Sequence, residues 1–389
     1  MRTLYQKFET LLQATTTDFK RYLYDKIYWD SRMIGIIGPR GVGKTTMILQ
    51  RIKESLGSKI ALYVSADDMY FGENRLYDLA DDFFKHDGQF LFIDEIHKYE
   101  DWSRELKNIY DAFPGLKIVF TGSSVLDILK GSADLSRRAI IYHLQGLSFR
   151  EYLKFFHNLD SAVYSLEQII KHEVKLENIQ HPLPLFNDYL RRGYYPFGIE
   201  HEMNLRLGQI IVQTLESDIP HYANLNVGTS RKLKRLLAII AESAPFKPNF
   251  SKIAELIKVS RNSLDDYFTY MENAGLIKQL RNETGAIRGL GKVNKVYLDN
   301  TNIIFSLVGD QSNIGNIRET FFFNQMCLEN EVTASKKADF VIDNYIFEVG
   351  EKNKQQNQIE KDVNSFIVKD DIEYGYHNVI PLWAFGMNY

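Results

Sequence analysis

The sequence predicts an α/β fold built on a parallel sheet, and three stretches predict it. The apolar run Met33-Ile34-Gly35-Ile36-Ile37 is short enough for a buried strand, and it runs straight into Gly38-Pro39-Arg40-Gly41-Val42-Gly43-Lys44-Thr45. Further on, Phe90-Leu91-Phe92-Ile93 is an apolar strand tipped by Asp94-Glu95, and Ile118-Val119-Phe120 is another that ends in the small polar cluster Thr121-Gly122-Ser123-Ser124. Short apolar strands alternating with helical segments are the pattern of a parallel sheet with helices on its faces.

Taken in order, residues 1–32 read as a helical arm. Leu4, Phe8, Leu11 and Leu12 fall at helical spacing, as do Phe19, Tyr22 and Leu23, with a break at Thr15-Thr16-Thr17. The loop that follows the first strand fits the phosphate-loop pattern G-x-x-x-x-G-K-[ST] at every fixed position. Its glycines let backbone N–H groups turn toward an anion without a side chain in the way. Thr46 to Lys53 holds no Gly or Pro and reads as a helix whose N-terminus adds positive dipole at the same spot. The expected nucleotide contacts are therefore Gly38, Pro39, Arg40, Gly41, Val42, Gly43, Lys44, Thr45 and Thr46. Lys44 would meet the β- and γ-phosphates of ATP, and the Thr45 hydroxyl would sit on Mg²⁺.

Ile60-Ala61-Leu62-Tyr63-Val64 is a second expected strand, and Asp67-Asp68 at its end reads as a solvated loop. The Asp94-Glu95 tip, about 50 residues beyond the phosphate loop, is a Walker B pattern. Asp94 would help hold Mg²⁺, and Glu95 would orient and polarise the attacking water as general base. A helix to about Phe113 is stopped by Pro114-Gly115. At the tip of the next strand, the Ser123 hydroxyl is a candidate to sense the γ-phosphate or position water; an N-cap by Ser123 or Ser124 is the competing role.

GPRGVGKTT, FIDEIHKYEDW and IVFTGSS, in this order and spacing, resemble a family of prokaryotic AAA+-type P-loop ATPases whose members carry a C-terminal domain of unknown function. The resemblance continues through Leu135-Ser136-Arg137-Arg138 and Gly146-Leu147-Ser148-Phe149-Arg150-Glu151-Tyr152. It implies that Arg138 is the family arginine, a sensor or finger on the γ-phosphate, with Arg137 standing where the family has glycine. Tyr189-Leu190-Arg191-Arg192-Gly193-Tyr194-Tyr195-Pro196-Phe197 is similar to the family's Gly-Gly-aromatic-Pro loop, with Arg192 replacing the first glycine. The surrounding helical, aromatic-rich region reads as a lid over the ATPase core.

Residues 228–300 read as a winged helix. Helices at Arg231–Ala244, Ser251–Ile257 and Arg261–Ala274 precede a strand from Leu276, a wing holding Gly285, Gly289 and Gly291, and a returning strand at Lys295–Leu298. Such an architecture reads DNA. Arg261, Asn262, Arg281, Arg288, Lys292 and Lys295 would support phosphate contact, while Asp265, Asp266 and Glu272 on the third helix would oppose it, so DNA and a protein client both stand as partners.

Residues 301–389 resemble the family's module with a PD-(D/E)xK nuclease-like core. The resemblance implies a metal site of Glu319 on a helix, Asp339 on one strand and Glu348 on the next, and a lysine two residues after the glutamate. Gly350 stands at that lysine's place, with Lys352 and Lys354 just beyond, so a degenerate core is expected rather than a nuclease. The final apolar stretch, Ile380 to Gly386, reads as an edge strand.

Composition narrows the partners. A net charge of −3 gives no global field toward nucleic acid. Cys327 is the single cysteine, which excludes an internal disulfide and fits the cytoplasm. No apolar run approaches a membrane span, and the charged N-terminal stretch does not read as a signal peptide. The histidines, scattered from His157 to His221, show no metal spacing. The expected organisation is an ATPase domain with its helical arm over 1–150, a helical lid over 151–227, a winged helix over 228–300 and the nuclease-like module over 301–389. The expected activity is Mg²⁺-dependent hydrolysis of ATP as a conformational switch, in a chain able to oligomerise. An ATP-sensing DNA-binding regulator and a nuclease are the alternatives.

Overall fold

The computed structural model describes residues 2–122, 135–223, 225, 227–243, 245, 247–283, 291–351 and 364–389. The chain divides into two compact units, Met1–Gln145 and Gly146–Tyr389.

The first unit is a parallel sheet with helices. Its elements are α1 (Arg2–Ala14), β1 (Met33–Ile37), α2 (Lys44–Arg51), β2 (Ala61–Ser65), α3 (Leu76–Lys85), β3 (Phe90–Asp94), α4 (Trp102–Ala112), β4 (Lys117–Gly122) and β5 (Ile140–His143). The strand order is β2-β3-β4-β1-β5, and every neighbouring pair is parallel. A sheet covered on both faces demands continuous apolar strands, and β1 is buried along its whole length. The helices turn amphipathic faces to it: Leu76, Leu79, Ala80 and Phe83 of α3 are buried together, as are Trp102, Leu106 and Ile109 of α4. Leu4 and Phe8 of α1 are buried, and the Phe8 ring stacks on Tyr63 of β2 at 6.4 Å.

The helix expected around Phe19–Leu23 is instead a string of turns. The reason is a side chain from α2: Gln50 Nε2 donates to the Thr16 carbonyl at 2.9 Å and the Phe19 carbonyl at 2.8 Å, taking acceptors that a helix would use.

The second unit holds α5 (Phe149–His157), α6 (Leu166–Ile170), α7 (Pro182–Asp188), α8 (Met203–Gln213), α9 (Ile219–Ala223), α10 (Val227–Ser243), α11 (Phe250–Ile257), α12 (Arg261–Asn273), β6 (Ile277–Arg281), β7 (Val293–Leu298), α13 (Thr301–Val308), α14 (Ile314–Met326), β8 (Val332–Ala334), β9 (Phe340–Ile342), β10 (Tyr345–Gly350), β11 (Ser365–Lys369) and β12 (Val379–Pro381). β6 and β7 form an antiparallel pair, and β12-β11-β10-β9-β8 form a mixed sheet. The boundaries expected at 227 and 300 fall inside this one unit. Its aromatic core explains why. Phe186 of α7 meets Phe149 at 5.3 Å and Phe321 of α14 at 4.8 Å, so helices of the expected lid share a core with the C-terminal segment. Likewise Tyr297 of β7 packs on Phe323 at 5.4 Å and Phe340 at 6.1 Å. The wing residues 284–290, with Gly285, Arg288 and Gly289, lie outside the described residues. The last apolar stretch is a strand only as far as Pro381, followed by the buried 3₁₀ turns Leu382–Met387. Proline has no N–H to continue a ladder, which ends the strand there. Among the described residues no helix is long and apolar enough to cross a membrane.

A single buried amide ties the aromatic loop to α13. Asn302, fully buried, accepts from the Tyr194 N–H at 2.9 Å and donates to the carbonyls of Leu190 at 3.0 Å and Tyr189 at 3.3 Å. Asn302→Ala orphans these backbone groups, at about 1–3 kcal/mol for each one left unsatisfied. The expected outcome is a clearly lower midpoint in chemical denaturation; a midpoint equal to wild type would contradict the clamp.

Candidate functional site

The site grows from the turn after β1. Gly41 (φ 80°) and Gly43 (φ 96°) take left-handed backbone that other residues resist. Gly38 is required for a different reason: a Cβ there would stand 2.1 Å from the Leu144 carbonyl oxygen just beyond β5. Val42 is fully buried, and its carbonyl accepts a hydrogen bond from Arg21, whose Nη2 also donates to the Gln145 carbonyl at 2.7 Å. Arg21 is itself buried. This arginine braces the loop from below, and nothing in the sequence around it singled it out.

Lys44 opens α2. Its Nζ donates to the carbonyls of Gly38 and Pro39, each at 2.8 Å, so the ammonium curls into the loop it would use to hold phosphate. Burial pushes this ammonium down to about 8, against the opposing pull of the Glu95 and Asp94 charges. Thr45, next along, donates through Oγ1 to Asp94 Oδ2 at 2.6 Å.

Asp94 gathers the rest. Besides Thr45, it accepts from the Tyr63 hydroxyl of β2 at 2.9 Å, from the Thr121 hydroxyl of β4, and from the Glu95 N–H at 3.1 Å. Parallel pairing of β2, β3 and β4 brings these tips together at the carboxyl end of the sheet, where ligands bind in open α/β folds. Burial, and then the Asp94 charge, push the Tyr63 phenol far up, so it stays a donor. Thr121 also accepts from the Glu95 N–H at 3.1 Å. Glu95 takes left-handed backbone, φ 51° and ψ 39°, an uncommon state for a side chain of this kind. Its carboxylate lies 3.4 Å from Nε2 of buried His97.

Thr45 and Asp94 offer a hydroxyl and a carboxylate side by side, the hard oxygen donors Mg²⁺ takes when phosphates and water complete its shell. Among the described residues no group of three or more His, Cys, Asp or Glu side chains is placed to hold a metal alone, so such an ion would depend on the nucleotide. Thr46 is exposed, and Pro39 and Arg40 are partly so, on the loop. Ser123 lies outside the described residues.

Arg138 is not brought to this cluster. It precedes β5, which pairs in parallel with β1 from Ile34↔Ile140 to Ile37↔His143, so Arg138 lies at the opposite end of the strands from the phosphate loop. There it forms a fork with Asp111 of α4, Nε to Oδ1 at 3.0 Å and Nη2 to Oδ2 at 2.9 Å. The expectation that it touches the γ-phosphate fails for the loop of its own chain, on strand direction alone.

Two of the three carboxylates expected in the C-terminal module, Glu319 and Asp339, are brought together in a second cluster. Glu319 stands on α14, Asp339 just before β9, and Glu348 on β10, one residue past the Phe347↔Phe340 pair and so across the ladder from Asp339. Lys295 of β7 joins two of them, its Nζ 2.9 Å from Glu319 Oε2 and 2.9 Å from Asp339 Oδ1. The Tyr297 hydroxyl donates to the same Glu319 oxygen at 2.7 Å, and the Val349 N–H to Asp339 Oδ2 at 3.0 Å. Burial and the Asp339 charge push Glu319 upward, opposed by Lys295 and Tyr297. Burial alone would lower Lys295, but the two carboxylates outweigh it and the ammonium is held above its usual range. Lys352 and Lys354 lie outside the described residues.

Residues 30–153 match the family described as an AAA domain, and residues 183–313 match a domain of unknown function (DUF8612). An uncharacterized protein of Methanocaldococcus jannaschii is 25% identical over 272 residues, 63% of this chain and 56% of that protein, so the chain spans little more than half of this curated relative. Solved structures overlap it weakly. C. elegans PCH-2 gives a TM-score of 0.27 at 14% identity, over 70% of this chain and 66% of that one. The S. cerevisiae Hsp104-ADP complex gives 0.32 at 16% identity, over 68% and 41%. AMPPCP-bound DnaA from Aquifex aeolicus gives 0.28 at 13% identity, over 70% and 87%. Strand order, phosphate loop and the AAA-domain match together make the first unit a P-loop domain of AAA type.

Because burial depresses the Lys44 ammonium on folding in spite of the Glu95 and Asp94 charges, its charge costs stability at pH 7 in the ligand-free protein, and removing it removes that cost. Lys44→Met should melt at or above the wild-type temperature without ligand and lose the upward shift that ATP and Mg²⁺ give wild type. A ligand-free melting point several degrees below wild type, or a retained ATP shift, would contradict this assignment.

Proposed function

We propose that the first unit binds ATP with Mg²⁺ and hydrolyses it, and that the chain uses the cycle as a conformational switch. The observation that carries this reading is the bond between Thr45 and Asp94 at the mouth of a phosphate loop, with Glu95 next along the chain in left-handed backbone. Lys44 and the loop N–H groups would bind and orient the β- and γ-phosphates. Thr45 and Asp94 would hold Mg²⁺, which supplies charge neutralisation on the phosphates. Glu95, 3.4 Å from His97 Nε2, would take the proton of the attacking water. The AAA-domain match over residues 30–153 supports the same reading.

If Arg138 serves a γ-phosphate, that phosphate belongs to a second copy of the chain, since its own loop lies at the far end of the sheet. A protein client is favoured over DNA. Of the basic residues that would support DNA, Lys295 is committed to Glu319 and Asp339, and Arg281 lies 3.5 Å from Glu272. Asp265 and Asp266 of α12 are exposed, where they would repel phosphate.

Glu95→Gln keeps size and hydrogen bonding but cannot accept a proton. Hydrolysis should slow by about 10²–10⁴-fold while ATP remains bound, measured by phosphate release beside equilibrium nucleotide binding. Equal loss of binding and turnover would instead assign Glu95 to the architecture of the site.

A further inference from the structure

We propose that Lys295 is the resident cation of the Glu319–Asp339 cluster, an internal ammonium standing where a divalent metal would otherwise sit, so that the module as folded takes no Mg²⁺ or Mn²⁺ there. The two carboxylates come from separate elements, α14 and the start of β9, yet both point at one nitrogen, 2.9 Å from each. All three side chains are largely buried, with 20% of Lys295, 16% of Glu319 and 14% of Asp339 exposed. Two acids brought this close from different parts of the chain need a cation between them. An ammonium is a compact point charge with three donors, and here it gives one to each carboxylate. Tyr297 adds a further donor to Glu319, and the Val349 N–H covers the other Asp339 oxygen. Glu319 Oε2 and both Asp339 oxygens therefore already accept hydrogen bonds from the protein.

The lysine also comes from elsewhere in the fold. It stands on β7, in the β6–β7 pair, while the acids stand on the helix and sheet of the C-terminal module. The same strand carries Tyr297, packed on Phe323 and Phe340, and Asn282, just past β6, bridges to Ala334 of β8. The ammonium thus closes the carboxylate cluster and pins the β6–β7 pair onto the sheet in one contact. A degenerate nuclease-like core explains the lack of a lysine at Gly350; it does not explain a lysine from another element seated between the acids.

The test is Mn²⁺ binding to the full, nucleotide-free chain, read as loss of the free Mn²⁺ signal by electron paramagnetic resonance. Any Mn²⁺ held at the phosphate loop is common to all variants. Wild type and Asp339→Asn should bind equally. Lys295→Ala, which removes the charge and leaves room, should bind one additional Mn²⁺ per chain, and Lys295→Ala/Asp339→Asn should lose it. Should Lys295→Ala not fold alone, Mn²⁺ should restore its wild-type circular dichroism. The proposal is overturned by wild type binding a Mn²⁺ that Asp339→Asn removes, by Lys295→Ala gaining no site, or by an unfolded Lys295→Ala that Mn²⁺ does not recover. Metal-dependent plasmid nicking by wild type that Lys295→Ala abolishes would overturn it too, making Lys295 part of a nuclease site.

Discussion

The first unit depends on one carboxylate. Asp94 is almost fully buried, and donors from four places converge on it: Thr45 from the head of α2, Tyr63 from β2, Thr121 from β4 and the Glu95 N–H from its own turn. Hydrogen bonds to a charged group contribute about 1.5–3 kcal/mol each, and here they do more than stabilise. They fix the tips of neighbouring strands against the helix that carries the phosphate loop. Whatever alters the Thr45–Asp94 contact is felt at β2 and β4 through the same two oxygens. That gives a site read as an ATPase a physical route from phosphate to sheet.

The second unit answers a similar problem with a different cation. Glu319 and Asp339 are largely buried acids, and a lysine from a strand of another element stands between them. The consequence is architectural as well as chemical. The helices α10 to α12 and the β6–β7 pair are the segment read from sequence as a winged helix, and β7 is bound to the C-terminal module by an ion pair and an aromatic contact. A basic side chain spent inside the fold is lost to any phosphate backbone outside it.

Local chemistry was legible in the sequence, and long-range chemistry was not. The phosphate loop and the Asp94-Glu95 tip announce themselves because backbone geometry and strand ends impose fixed residue types at fixed spacing. The helices at 250–257 and 261–273 and the strand at 277–281 were legible from the local residue pattern, and the strand at 345–350 from the family resemblance. Arg21 was not, because its partners are backbone carbonyls, which leave no mark on residue identity. Tyr63 looked like an ordinary strand residue, and Thr121 like part of a polar strand end, until parallel pairing placed both beside Asp94. Lys295 was counted with the exposed basic residues of a wing, because only the tertiary fold places it between Glu319 and Asp339. For Arg138 the motif fixed which arginine to watch, while strand direction decided which end of the sheet it occupies. The turns after Thr15 were misread as helix because the competing donor, Gln50, lies far along the chain.

The central claim is that Asp94 and Thr45 together form the metal-holding edge of a nucleotide site. The most direct measurement is the equilibrium affinity for ATP with excess Mg²⁺ and with excess chelator, for wild type and for Asp94→Asn, each checked for retained secondary structure. The account predicts that Mg²⁺ strengthens ATP binding to wild type and gives Asp94→Asn little or no gain. An equal gain in both proteins would contradict it, because the metal would then be held without the carboxylate around which the site is built.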